Sequence, residues 1–461
     1  MAEKNNIVVI FNDDHAQWAL GSYGNRELHT PTLDHLAHTG VQMENAFTPT
    51  PVCSPARACF LTGRLASQHG VHDYLASNDA EIHGHNWLQD EITLAQILSQ
   101  AGYQTALCGK WHLGNDEQPQ PGFDHWFSLS GDYPFAHDGS SRYSDNGHLQ
   151  EISGYETPVI TDRAIEFLRQ RDQNQPFFLY VGFRATHSPW QGHPERLAAQ
   201  YRQSAFEDVP PDVAYPFGRQ NLESTTYRRS DPREGLAQYY AAVSALDQAT
   251  GRLLDELDAL DLRETTLLVY TSDHGLCCGH HGIWGKGNGT LPLNMVEESI
   301  RVPMIFNQPG RLFEQQRRRE FVDHVDLFQT LASYAGVELA AKGDNYYPGR
   351  SFLPMLENSG SLPNWRNEQF GEYGNLRMVR TETHKLVRRY PDGPCELFDL
   401  RADPRETVNL FDDLAHQSLV KQLTARIDEY FGACQDPVKS GLRVRELPRH
   451  NRSEAWRTKM V

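Results

Sequence analysis

Four short apolar runs, each breaking off into a dense polar cluster, constrain this 461-residue chain more than any other feature. Asn6-Ile7-Val8-Val9-Ile10-Phe11 runs into Asn12-Asp13-Asp14-His15, and Gln104-Thr105-Ala106-Leu107-Cys108 runs into Gly109-Lys110-Trp111-His112. Pro176-Phe177-Phe178-Leu179-Tyr180-Val181 leads to Arg184-Ala185-Thr186-His187-Ser188-Pro189, and Thr266-Leu267-Leu268-Val269-Tyr270 leads to Ser272-Asp273-His274-Gly275. A strand with one wet face alternates apolar and polar residues, whereas a near-continuous apolar run marks a strand buried on both faces, as in a parallel sheet. Helical patterns lie between the runs: Leu94, Ile97, Leu98 and Ala101 before Gly102, then Leu236, Tyr240, Val243, Leu246, Leu253 and Leu257. The alternation predicts an α/β fold, and in such sheets ligands sit beyond the carboxyl ends of the strands. All four polar clusters fall there.

The length points to one large domain plus a smaller one, and the texture of the sequence changes near residue 345. Arg377-Met378-Val379-Arg380-Thr381 and His384-Lys385-Leu386-Val387-Arg388 read as antiparallel strands, followed by a helix from about Asp413 to Tyr430. We therefore expect a main domain over 1–344 and a C-terminal subdomain over 345–461, with an antiparallel sheet, a helix and a basic tail from Lys439. That tail, with Trp456, reads as an arm packed on the body or on a partner subunit. Two stretches, 114–154 and 193–234, read as long irregular loops, which in a compact domain are usually functional.

A net charge of −17 makes nucleic acid and anionic membrane surfaces poor partners, and no apolar run approaches the roughly 20 residues of a membrane helix. Met1 to Asn6 carries no basic, apolar or small-residue pattern of a signal peptide. The expected location is cytoplasmic if this start is native, and periplasmic or secreted if a leader was trimmed. Seven cysteines at irregular spacing argue against a disulfide framework, and the adjacent Cys277 and Cys278 read as packing.

Any one polar cluster alone is an ordinary loop after a strand. Together they describe a site. Asp13, Asp14 and Asp273 supply hard oxygens for a divalent cation, without which three clustered carboxylates would repel one another. Lys110, His112, His187 and Lys286, the last in Trp284-Gly285-Lys286-Gly287, supply cations and proton carriers. The set suits a tetrahedral anion.

Between the first two runs lies Thr50-Pro51-Val52-Cys53-Ser54-Pro55-Ala56-Arg57, closed by Leu61-Thr62-Gly63-Arg64. This stretch resembles the signature of the type I sulfatases, whose cysteine is converted after translation to Cα-formylglycine. Asp13-Asp14, Gly109-Lys110-Trp111-His112-Leu113-Gly114, Thr186-His187-Ser188-Pro189, Ser272-Asp273-His274-Gly275 and Glu298-Ser299-Ile300-Arg301-Val302-Pro303 resemble further blocks of that family, in family order. A later stretch, Glu396-Leu397-Phe398-Asp399-Leu400 with Asp403-Pro404 and Asn409-Leu410, resembles its C-terminal region. Several independent matches in order are far more specific than one.

The resemblance implies an alkaline phosphatase-like fold, a large mixed and mostly parallel sheet sandwiched by helices, with a smaller C-terminal α+β domain. It implies a sulfuric ester hydrolase in which the hydrated aldehyde of residue 53 attacks sulfur with one hydroxyl and expels sulfate with the other. Pro55 and Arg57 are then read by the formylglycine-generating enzyme, and Arg57 also steadies the finished residue. One calcium ion per chain is implied, held by Asp13, Asp14, residue 53, Asp273 and His274. His274 stands where many members carry Asn, and a histidine supporting the ligands from behind is the other reading of it. Asp273 is also the implied proton acceptor. Lys110 and Lys286 would neutralise the sulfuryl oxygens, although a flexible surface lysine is the competing reading of Lys286. His187 would protonate the departing alcohol and His112 would take a proton as sulfate is eliminated.

A sulfated saccharide is the implied substrate class, and the polar, histidine-rich segment 79–85 favours a hydrophilic alcohol. His72, Asp73, Asp138, Arg142 and Arg377 are candidate substrate contacts, with Arg228 and Arg229 added from the second long loop; a homo-oligomer is allowed. A phosphonate or phosphate monoester hydrolase using the same modified cysteine is the alternative. A non-catalytic anion-binding protein would keep Cys53 as an inert buried thiol.

Overall fold

The computed structural model describes residues 5–77, 79–131, 137–211, 214–221, 231–339, 346–357, 360 and 362–457. Its main sheet is built from Asn6–Asn12 (β1), Val41–Phe47 (β2), Gln104–Lys110 (β3), His125–Leu129 (β4), Ser140–Asp145 (β5), His148–Ser153 (β6), Phe177–Gly182 (β7), Thr266–Ser272 (β8), Met304–Asn307 (β9) and Gln316–Asp323 (β10). Their order across the sheet is β10-β2-β9-β8-β1-β7-β3-β4-β5-β6. The four apolar runs are thus β8, β1, β7 and β3, side by side at the centre and mutually parallel. The sheet is mixed because β9 runs antiparallel to β8 and β2, and because β4, β5 and β6 form antiparallel pairs at one end.

The longer helices are Pro31–His38 (α1), Cys53–Thr62 (α2), Leu94–Gln100 (α3), Glu156–Gln170 (α4), Glu195–Tyr201 (α5), Pro232–Ala259 (α6), His324–Tyr334 (α7) and Gln417–Cys434 (α8). Alternate residues of β1 divide them into two layers. Ile7, Val9 and Phe11 pack with Phe60 and Leu61 of α2, Leu94 and Leu98 of α3, and Leu327, Phe328 and Leu331 of α7. Val8 and Ile10 pack with Leu33 and Leu36 of α1, Ile160 and Leu168 of α4, and Leu246, Leu253 and Leu257 of α6. A strand covered on both faces has no wet side, so β1 is buried at every position and its polar residues, Asn6 and Asn12, stand only at its ends.

The C-terminal sheet pairs Glu368–Tyr373 (β11), Leu376–Thr381 (β12), His384–Arg389 (β13) and Glu396–Asp399 (β14) in sequence order, all antiparallel, with α8 against it. The expected boundary at 344 lies outside the described residues. The expected helix from Asp413 to Tyr430 lies a turn later, because Asp413 caps a short 3-10 turn over Leu414–His416 before α8 begins.

The stretches expected to be irregular are partly ordered. Residues 114–154 contain β4 and the hairpin β5–β6, closed at Asn146-Gly147, both with positive φ (50° and 88°). Such a pair is what a tight two-residue hairpin turn demands. Residues 193–234 contain α5 and the first turn of α6, which Asp231 caps by accepting from the N–H groups of Arg233 and Glu234. Arg228 and Arg229 lie outside the described residues.

Candidate active site

Cys53 begins α2 and Arg57 sits one turn further on, so both project from the same end of a helix whose ten residues are all buried. Around Cys53 the sheet delivers one polar cluster from each central strand: Asp13 and Asp14 after β1, Lys110 as the last residue of β3, His187 after β7, and Asp273 and His274 after β8. Gly109 lets β3 reach this point. Its φ is +114°, and a Cβ there would lie 2.0 Å from the carbonyl oxygen of Gly182 on β7.

The side chains of Asp13, Asp14, Cys53, His274 and Lys286 form one contact group. Cys53 Sγ lies 3.2 Å from Asp13 Oδ1, 3.4 Å from His274 Nε2 and 2.8 Å from Lys286 Nζ. Lys286 also donates to Asp14 Oδ1 at 2.6 Å, and Lys110 donates to Asp13 Oδ2. Lys286 is only 8% exposed, which rules out a flexible surface lysine. Arg57 is fully buried and donates to Asp273 Oδ2 at 3.0 Å, to the carbonyl of Lys110 at 3.2 Å and to the Tyr180 hydroxyl at 3.1 Å.

One donor atom each from Asp13, Asp14, Cys53 and His274 lies within 4.8 Å of the others, and all four residues are buried. The His274 ring is oriented for this. Its Nδ1 faces the Gly275 carbonyl at 2.9 Å and donates a proton there, which leaves the Nε2 lone pair turned toward Asp14, Asp273 and Cys53. Asp273 stands beside the group, with Oδ1 3.3 Å from that nitrogen. Carboxylate oxygens with one imidazole fit a hard divalent cation.

Electrostatics separate the carboxylates. Burial alone would raise Asp13, but Lys110, His187, Arg57 and Lys286 outweigh it and hold Asp13 well below the usual carboxylate range. Asp14 is lowered in the same way against its own burial, chiefly by Lys286, His187 and His274. Asp273 goes well above that range through burial and the neighbouring Asp13 charge. Burial and Asp13 also push the Cys53 thiol far up, despite Lys286. Burial takes His274 down to about 3 and His187 to about 4. Asp14 and His112 adopt positive φ, 64° and 60°, an uncommon conformation for such residues that accumulates where function constrains the backbone.

The remaining candidates are placed as follows. His112 is half-buried two residues beyond Lys110, with Nε2 donating to the Leu75 carbonyl at 3.0 Å. His72 lies under the tail, with Nε2 2.7 Å from the Lys439 carbonyl. Asp73 accepts from the Tyr373 hydroxyl at 2.5 Å. Arg377 donates to Gln435 at 2.6 Å and lies over the Phe431 ring of α8. Arg142 is exposed and paired with Glu117 at 2.8 Å, and Asp138 is exposed. Among the described residues, none of the five candidate substrate contacts, His72, Asp73, Asp138, Arg142 and Arg377, makes a hydrogen bond or ion pair with Asp13, Asp14, Cys53, His274 or Lys286. Cys277 and Cys278 are free and buried in a two-residue strand pair with Trp284 and Gly285.

Several supports of the site carry no signal in the sequence. The Tyr180 hydroxyl accepts from Arg57, the Tyr239 hydroxyl donates to the Asp14 carbonyl, and His324 Nε2 donates to the Ser272 carbonyl. The two tyrosines look like core residues in a sequence, and their tips find polar partners only once the chain is folded.

The Sulfatase family model matches residues 5–337. The chain belongs to the sulfatase family. It is a sulfuric ester hydrolase of the alkaline phosphatase superfamily. A second family, described as N-sulphoglucosamine sulphohydrolase, C-terminal, matches residues 279–432. The N-acetylglucosamine-6-O-sulfatase of Bacteroides thetaiotaomicron is 29% identical over 504 aligned residues, covering 92% of this chain and 86% of that protein. The ulvan-active sulfatase of Formosa agariphila is 29% identical, covering 95% of this chain and 83% of that protein. A solved structure described as a complex with its substrate D-glucosamine-2-N,6-O-disulfate superposes with a TM-score of 0.80 at 27% identity, covering 94% of this chain and 98% of that one. Among the described residues of this sulfatase, no helix is long and apolar enough to cross a membrane.

Proposed function

We propose that this sulfatase hydrolyses the sulfate ester of a carbohydrate, using Cα-formylglycine made from Cys53 and one bound calcium ion. The observation that carries this reading is the position of Cys53, at the buried end of a helix and within 3.4 Å of Asp13, His274 and Lys286. Burial and the Asp13 charge raise the Cys53 thiol, so an unmodified cysteine here is a poor nucleophile, and the aldehyde made from it supports the hydrolytic reading. The aldehyde supplies, as its hydrate, one hydroxyl that attacks and another that later releases sulfate. Calcium held by Asp13, Asp14, residue 53, Asp273 and His274 supplies positive charge that favours ionised oxygen. The carbohydrate class rests on the substrates named for the relatives.

This chain's own residues divide the remaining work. Lys110 and Lys286 hold positive charge where the sulfuryl oxygens gain negative charge, preorganised by Asp13 and Asp14 and shielded from water. Asp273, oriented by the Arg57 guanidinium at 3.0 Å, takes the proton of the attacking hydroxyl. Arg57 fixes Asp273 and the end of β3 with one guanidinium. His187 gives a proton to the alcohol oxygen as the S–O bond breaks; an anionic ester beside it favours the charged ring that burial otherwise disfavours. His112 receives a proton as sulfate is released.

Mass spectrometry of the peptide around Cys53, from a host with the formylglycine-generating enzyme, should show the aldehyde. The same material should release sulfate from N-acetylglucosamine-6-sulfate in preference to matched phosphate and phosphonate esters, and should lose turnover on chelation and regain it with calcium. Intact cysteine in fully active protein would overturn the mechanism. Faster turnover of the phosphonate would move the substrate to the alternative anion.

A further inference from the structure

Beyond the site, a buried polar network reaches one backbone atom of the His187 segment. Glu156, the first residue of α4, accepts from Arg184 Nε at 2.7 Å and from Ser141 Oγ of β5 at 2.6 Å. Burial opposes its charge, but Arg184 and His137 bring it down to about 2, and the helix N-terminus favours a carboxylate there. His137 Nδ1 lies 3.5 Å from the same carboxylate. The other nitrogen of His137, Nε2, lies 2.8 Å from the carbonyl oxygen of His187 and donates to it. His193 stacks on the His137 ring at 4.4 Å and is held by the Tyr155 hydroxyl at 3.0 Å. Glu156, Arg184, His137 and His193 are all buried.

The His187 backbone is thereby held from two sides. Its N–H donates to the Arg184 carbonyl at 2.8 Å, while Thr186 donates from its backbone N–H to the Asp13 carbonyl at 2.8 Å. Its own Nδ1 donates to the Ser188 carbonyl, which turns Nε2 away from the chain. We propose that His137 is a positioning residue for His187, fixing through its bond to the His187 carbonyl the angle at which Nε2 meets the departing alcohol. This inference rests on the reading of His187 as the group that protonates that alcohol. A proton donor displaced by a fraction of an ångström still permits binding but loses its line to the oxygen, so the deficit belongs to the chemical step.

The test compares His137→Phe and His137→Gln with His187→Ala on two substrates, N-acetylglucosamine-6-sulfate, whose alkoxide needs a proton to leave, and 4-nitrophenyl sulfate, whose phenolate leaves without one. His187→Ala should lower kcat on the sugar sulfate by about 100- to 10,000-fold and on the aryl sulfate far less. His137→Phe should reproduce that asymmetry on a smaller scale, about 10- to 100-fold on the sugar sulfate, with KM little changed. His137→Gln, whose amide N–H can reach the carbonyl, should recover most of the loss. If the Phe variant does not fold, Gln against the shorter Asn carries the same comparison. Equal losses on both substrates, a change confined to KM, or a Gln variant no better than Phe or Asn would overturn the inference. Absence of the asymmetry in His187→Ala would overturn the reading of His187 itself.

Discussion

Arg57 joins three parts of the molecule that are distant in sequence: β8 through Asp273, β3 through the Lys110 carbonyl and β7 through Tyr180. A fully buried guanidinium is tolerable only with such partners, and removing it leaves buried carboxylates uncompensated, which typically costs about 3–5 kcal/mol. Arg57→Leu should therefore lower the unfolding free energy by that amount as well as abolish turnover. Arg57→Lys should recover only part of the stability, since a point charge cannot serve three acceptors at fixed angles. Chemical denaturation at fixed pH checks both variants, and a Leu variant as stable as the parent would contradict the role. The motif made Arg57 visible in the sequence, whereas Tyr180 is visible only in the fold. Lys286, flanked by glycines, resembled a loop residue, and it is the charge of Asp14 and the burial of its neighbours that draw it inward.

At the scale of elements, legibility followed burial. β8, β1, β7 and β3 are covered on both faces and announced themselves as apolar runs, and the four site clusters at their ends came with them. β10, Gln-Arg-Arg-Arg-Glu-Phe-Val-Asp, is the strand at one edge of the sheet, and its charged residues gave no strand signal. β6 is the exposed strand at the other edge, and the Asn146-Gly147 turn was its one strong mark. Gly147→Val should destabilise the protein by about 1–2 kcal/mol, because a side chain at φ of +88° is strained and β-branching adds to it. Turnover should persist, because the hairpin makes no hydrogen bond to the Cys53 group. Thermal unfolding and sulfate release measured on one preparation decide it, and a Val variant with unchanged stability would remove the argument.

At the scale of the whole molecule, the C-terminal sheet is clamped to the segment that follows Lys286. Lys385 of β13 is buried, bonded to Glu297 at 3.2 Å and paired with Glu406, while Arg380 of β12 reaches Glu297 at 3.1 Å. Lys385→Met should cost about 3–5 kcal/mol, again by stranding buried carboxylates, and should loosen the loop that carries Lys286. Protease cleavage within 284–301 should then precede global unfolding, whereas simultaneous loss of both would refute a local effect. The pH dependence has a separate source in Asp247 of α6, which burial raises to about 6 from an ordinary value of 3.8 while it accepts from the Leu33 N–H at 2.8 Å. A raised carboxyl binds its proton more tightly in the folded state, so its contribution is favourable at low pH and is lost as pH climbs from about 4 through 6. Asp247→Asn should gain on the parent across that window, by about 1.4 kcal/mol per unit of the shift. Unfolding midpoints of both proteins at pH 4 and pH 7 test the sign, and a difference independent of pH would contradict it.

Periodicity and motif order were enough to settle the central parallel strands, the family and the residues gathered at the strand ends, because strong burial on two faces and a demanding reaction each leave little freedom of composition. Which charge neutralises which carboxylate, that His274 turns a lone pair toward Asp14 and Asp273, and that His137 reaches the His187 carbonyl were decided by tertiary structure alone. Apart from the adjacent His274 and Asp273, those pairings join residues 50 to 272 positions apart, and local sequence carries no record of contacts that only the packed sheet creates.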